Sequence, residues 1–67
     1  MIEIEVNGKK SEIEENITIA ALLDKIDYKG KMFVIEKNLE IVQKSQFNAV
    51  TLAQGDKLEI VEFAGGG

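Results

Sequence analysis

Neither cysteine nor histidine occurs anywhere in the chain. The first absence removes disulfide chemistry, thiolate nucleophiles and most zinc sites, and the second removes the usual proton shuttle at neutral pH. A secretory leader is also missing from the reading: Ile2, Ile4 and Val6 are interleaved with Glu3 and Glu5, with neither a basic start nor a continuous apolar run. No segment approaches the length of a membrane span, so a cytoplasmic protein with no membrane partner is expected. Basic charge is in short supply as well. Twelve acidic residues face eight basic ones, a net charge of −4, which repels nucleic acid and anionic lipid at long range and favours basic protein surfaces as partners. With 67 residues the chain forms one domain, near the lower limit for a core without staples. Such a core supplies roughly 3–5 kcal/mol of net stability, too little for a deep, strained, water-free active site. A stand-alone enzyme is disfavoured.

What is present is a clear change of hydrophobic period. Ile2, Ile4 and Val6 alternate with polar residues and Asn7-Gly8 follows. That pair suits a type I′ turn, which predicts a second strand over residues 9–13 with Ser11 and Ile13 on one face. Ile19, Leu22, Leu23 and Ile26 then recur at helical spacing as one apolar stripe. Thr18 is the expected N-cap, Ile17 and Leu22 fit a hydrophobic staple, and Gly30 can end the turn that follows Asp27 and Tyr28. Residues 32–35 read as a strand buried on both faces, followed by a Lys37-Asn38 turn into Glu40, Ile41 and Val42. Phe47, Val50 and Leu52 are expected to plug the edge of the core, and Gln54-Gly55-Asp56 to turn into a last strand over residues 57–63. The order β-β-α-β-β-β predicts an α+β roll, one main helix packed on a mixed sheet.

Three features have the composition to carry chemistry. The first is Ala64-Gly65-Gly66-Gly67. Without Cβ atoms, glycines can thread a channel too narrow for other residues, and four residues reach at most about 13–14 Å. A terminal carboxylate, with an ordinary pKa of about 3.3–3.7, is ionised and inert to nucleophiles until activated, for which coupling to AMP would supply the leaving group. Glycines in this position are equally compatible with a frayed end that does nothing. The second is the last strand, where parity sets Val61 and Phe63 opposite the core-facing Leu58 and Ile60. The pair either docks a partner or, for Phe63, seals the end of the core. The third is a set of carboxylates, Glu14-Glu15 and, three apart on the helix, Asp24 with Asp27; with no buried third ligand these are a solvated face rather than a metal or acid/base site. No catalytic and no metal-binding residue is assigned. Tyr28, Met32 and Phe47 read as core or rim residues.

Over its whole length the chain resembles the ThiS family of sulfur carriers for thiamin thiazole synthesis, ubiquitin-like β-grasp proteins related to the MoaD family. The likeness rests on Val6-Asn7-Gly8, the helix run Thr18-Ile19-Ala20-Ala21-Leu22-Leu23, the strand pair around Val34 to Val42, the Gln54-Gly55-Asp56-Lys57 turn, and the final Ala64-Gly65-Gly66-Gly67. It implies a β-grasp domain over residues 1–63 with a flexible glycine tail over 64–67. It further implies no bound cofactor, and a ThiF-type adenylating enzyme that uses ATP and magnesium to activate Gly67. A sulfur donor protein would convert Gly67 to a thiocarboxylate, and a ThiG-type thiazole synthase would consume it. Gly66 then matches the penultimate glycine, Gly65 is one more than a Gly-Gly ending needs, and Val61, Phe63 and Ala64 border the partner-binding surface. The chain is shorter than a molybdopterin-synthase small subunit and has no aromatic-proline approach to its glycines. Sulfur delivery to that or another pathway stands as the alternative, as does a ubiquitin-like binding module without terminal chemistry.

Overall fold

In the computed structural model, which describes residues 1–63, the order is β1 (Ile2–Val6), β2 (Lys9–Ile13), α1 (Ile19–Lys25), β3 (Phe33–Lys37), β4 (Glu40–Val42), a 3₁₀ turn (Lys44–Gln46) and β5 (Lys57–Glu62). The opening hairpin forms as its turn chemistry requires, with Asn7 and Gly8 at φ of 50° and 82°. The five strands make one sheet in the order β2-β1-β5-β3-β4. β5 lies in the middle, parallel to β1 and antiparallel to β3. This is the mixed sheet with one helix that the element order predicts.

One face of the sheet is covered and the other is open. Ile4, Ile13, Ile35 and Leu58 from the sheet meet Ile19 and Leu22 from α1 and Phe47 and Leu52 from the loop over residues 43–56, and all eight side chains are buried. A seven-residue helix has no stability alone. Here its apolar stripe and its first turn are both held: the Thr18 hydroxyl accepts from Ala21 N–H at 3.1 Å, Ile19 N–H donates to the Val50 carbonyl at 3.1 Å and Ala20 N–H to that of Phe47 at 2.9 Å. The loop therefore caps the helix as well as plugging the core, and the donors left free at a helix start are satisfied.

Four sequence expectations are corrected. The helix ends at Lys25, short of Ile26 and Asp27, and Asp27 turns the chain out of it in the left-handed region at φ 57°. Tyr28 N–H reaches the Leu23 carbonyl at 3.0 Å and Asp27 N–H that of Asp24 at 3.1 Å, the paired bonds of a Schellman end. Ile26 consequently falls outside the stripe and is exposed, and Asp27 is not on the helix with Asp24. Residues 32–35 are not buried on both faces: Ile35 is buried, Phe33 and Val34 are half-buried, and Met32 is exposed on the open side. The β3–β4 turn is centred one residue later than expected, on Asn38 and Leu39, both at positive φ. β5 ends at Glu62 rather than at residue 63. Among the described residues no helix is long and apolar enough to cross a membrane.

Candidate functional site

Because β5 is central, the chain leaves the sheet from its middle. β3 holds the exit on one side, with the ladder running from Lys37↔Leu58 to Phe33↔Glu62 and continuing as a bond from Phe63 N–H to the Met32 carbonyl at 2.9 Å. On the other side β1 stops at Val6↔Leu58. Asn7 extends it with its side chain: Oδ1 accepts from Ile60 N–H at 2.7 Å and Nδ2 donates to the Ile60 carbonyl at 3.3 Å. One carboxamide thus imitates one more residue of strand.

At this end the open face is apolar. Val61 and Phe63 are 37% and 51% exposed, which settles the alternative for Phe63: it does not seal the core. They do not stand alone. Register places Val34 opposite Val61, while Met32 and Ile41, 55% and 61% exposed, line with Val34 and Phe63 a groove of about 350 Å³ that also reaches Phe33 and Phe47 on the covered side. Lys31 and Lys44 border that groove, and Glu36 and Glu59 stand directly opposite one another on the adjoining rungs of β3 and β5. The exposed apolar side chains are therefore neighbours bordered by charge rather than scattered surface hydrophobes.

On the covered face the same end is held by an aromatic series. Phe33 stacks on Phe47 with centroids 6.2 Å apart, Tyr28 meets Phe33 edge-on at 4.9 Å, and Lys44 Nζ lies 5.0 Å from the Phe33 centroid. The Tyr28 hydroxyl donates to the Glu62 carboxylate. Lost solvation, this hydrogen bond and the Glu62 charge all favour the neutral phenol, whose pKa is pushed up to about 12.

Opposite the exit, the Gln54-Gly55-Asp56 turn is tied to both neighbours. Asp56 accepts from Asn38 Nδ2 at 3.0 Å and from Ala53 N–H at 2.9 Å, and lies 3.8 Å from Lys37 Nζ. Partial burial would raise its pKa, but the Asn38 and Ala53 bonds and the Lys37 charge outweigh burial and hold the carboxyl below its ordinary value.

Of the residues singled out from sequence, Val61 and Phe63 come together on the exit patch, whereas Ala64, Gly65, Gly66 and Gly67 lie outside the described residues. The carboxylates do not converge: Glu14 pairs with Lys25 at 3.0 Å and Asp27 with Lys29 at 3.0 Å, and among the described residues no three acidic side chains could share a metal ion. Met32 and Ile41 were missed as patch residues. The parity of Ile41 between Glu40 and Val42 carried a signal for it; nothing local did for Met32.

Residues 2–67 match the model of the ThiS family. Among curated relatives, the chain is 35% identical over 65 residues to the sulfur carrier protein ThiS of Bacillus subtilis strain 168, covering 96% of this chain and 98% of that one. It is 39% identical over 66 residues to a thiazole synthase of Paramagnetospirillum magneticum, covering 98% of this chain and 20% of the relative. The chain thus spans about a fifth of the length of the thiazole synthases it matches. Among solved structures, it is similar to the crystal structure of the thiamine biosynthesis protein ThiS from Geobacter metallireducens, with a TM-score of 0.86, 30% identity, and coverage of 98% of this chain and all of that one. The sheet and helix are those of a β-grasp fold.

Proposed function

This chain belongs to the ThiS family, and on that premise we propose that it carries sulfur as a thiocarboxylate on Gly67 for thiamin thiazole synthesis in the cytoplasm. The observation that carries the reading is the family match, which runs through the final glycines. It is supported by an exit from the centre of the sheet beside a contiguous exposed patch.

The chemistry belongs to the partners. A ThiF-type enzyme with ATP and magnesium brings the Gly67 carboxylate oxygen to the α-phosphorus; the bond to pyrophosphate breaks and an acyl adenylate forms. Sulfur at the oxidation level of sulfide, supplied by a donor protein, then attacks the carbonyl carbon. The carbon–oxygen bond to AMP breaks, AMP leaves with the electron pair, and the thiocarboxylate remains. This chain contributes a carboxylate, a narrow thread and a docking surface, with Val61, Phe63, Met32 and Ile41 as the apolar contact and Ala64 at its border. A thiazole synthase of the ThiG type is the proposed acceptor, supported by the similar segment within the thiazole synthase of Paramagnetospirillum magneticum.

Intact-mass measurement after incubation with a ThiF-type enzyme, ATP, magnesium and sulfide tests this directly. The expected product has one oxygen replaced by one sulfur and is absent when Gly67 is deleted. Formation of neither that product nor an AMP adduct with an enzyme active on its own carrier would sink the carrier reading and leave a binding module.

A further inference from the structure

Four separate features converge on Tyr28. The Schellman bonds fix its backbone directly after the helix end. Its ring lies on Gly30 so closely that a Cβ there would meet ring carbons at 2.3 and 2.5 Å, within the range real Cβ atoms do not occupy. Its edge packs on Phe33, which is the cross-strand partner of Glu62. Its hydroxyl then donates to Glu62, the last residue of β5. Among the described residues β1 reaches no further along β5 than Ile60, by way of Asn7. Glu62 is thus held by β3 on one side and, where β1 is lacking, by a phenol.

We propose that Tyr28 is a positioning residue for the terminal chemistry: its hydrogen bond to Glu62 pins the end of β5 so that Gly67 leaves from a fixed point beside the docking patch. This rests on Gly67 being the residue activated. The physical reason is thread length. If the last residues of β5 lift away, the free segment beyond the docked surface lengthens and its exit direction broadens. The effective concentration of the carboxylate in the partner's site then falls with roughly the −3/2 power of length or more steeply. Val61 and Phe63 flank Glu62 and loosen with it, while Met32, Val34 and Ile41, which lie outside β5, keep the rest of the docking patch in place.

Tyr28→Phe removes one oxygen atom and keeps the ring, so the fold is retained. In single-turnover adenylation by a ThiF-type enzyme, the Tyr28→Phe rate at saturation falls about twofold, as lengthening the thread from four residues to six requires, while the half-saturating concentration rises by no more than about the same factor. Glu62→Gln keeps an acceptor oxygen and restores most of the rate; Glu62→Ala behaves as Tyr28→Phe. Gly30→Ala displaces the ring without removing the hydroxyl and gives the same loss. Amide exchange at Phe63, measured on the free carriers, accelerates in Tyr28→Phe and Gly30→Ala. A parent chain that is adenylated while Tyr28→Phe matches its saturating rate, or an unchanged Phe63 exchange rate, overturns the positioning role alone. A parent chain that is not adenylated overturns that role together with the carrier reading.

Discussion

The side-chain amide of Asn7 bonds both backbone groups of Ile60, donating at 3.3 Å and accepting at 2.7 Å. Asn7 also occupies the first left-handed position of the β1–β2 turn. One residue therefore closes the hairpin and extends the parallel pairing of β1 with β5. Asn7→Gly keeps the turn and loses both bonds, whereas Asn7→Asp keeps an acceptor but sets a carboxylate against the Ile60 carbonyl. Urea unfolding should show losses of about 1 kcal/mol for glycine and about 2 kcal/mol for aspartate. No loss in Asn7→Gly would assign the residue to the turn alone.

Tyr28 is the only tyrosine in the chain, so absorbance titration reads its phenol without interference. Its pKa is expected near 12, against about 10 for a free phenol. Glu62→Gln removes the charge and should bring it down. Because the folded-state pKa is raised, the contribution to stability is complete below about pH 10 and is lost as pH rises through the folded value. Alkaline unfolding of Tyr28→Phe should lack that segment of the profile.

Asp56 has the opposite sign. Its folded-state pKa is lowered, so its contribution is present above the ordinary carboxylate value of about 3.9 and disappears as pH falls through the folded one. Asp56→Asn leaves the Ala53 N–H facing an amide instead of a carboxylate. At neutral pH it should cost about 1–2 kcal/mol, and the gap from the parent chain should narrow in acid. A gap constant down to pH 2 would contradict this account.

Leu39 is 91% exposed and held at φ 71°. A left-handed backbone costs an L-residue about 1–2 kcal/mol, while glycine gives back about 0.5–1 kcal/mol in unfolded-state entropy. Leu39→Gly should therefore stabilise the domain by about 0.5–1 kcal/mol in thermal unfolding, with adenylation unchanged.

Val61 and Phe63 lie on the open face, outside the buried core. Val61→Ser and Phe63→Ser should alter stability by less than about 1 kcal/mol. Each should raise the concentration of carrier needed for half-maximal adenylation by about tenfold, the weight of one docking residue. Unchanged half-saturation in both variants would place the docking surface elsewhere.

How far the sequence could be read follows the range of each interaction. The hairpin and the helix start are written in adjacent residues, Asn7-Gly8 and Thr18 with its stripe, because turn dihedrals and capping bonds span only a few positions. The helix end misled for an equally local reason: the stripe runs on to Ile26, yet Asp27 takes the left-handed position just beyond it, and Gly30 is used where the Tyr28 ring lies on it. Parity along β5 correctly turned Val61 and Phe63 outward, since alternation is a property of one strand.

By itself the sequence determined the element order, the two-sided character of the sheet and, through its glycine-rich end, where the chemistry should be sought. Tertiary structure alone decided that Met32 and Ile41 join Val61 and Phe63 in one patch, and that Tyr28 meets Glu62 across 34 positions. Those relationships depend on which strands pair and in what register. Pairing is chosen by the summed burial of Ile4, Ile35, Leu58 and their neighbours beneath α1, a property of the whole core that no single stretch of the chain contains.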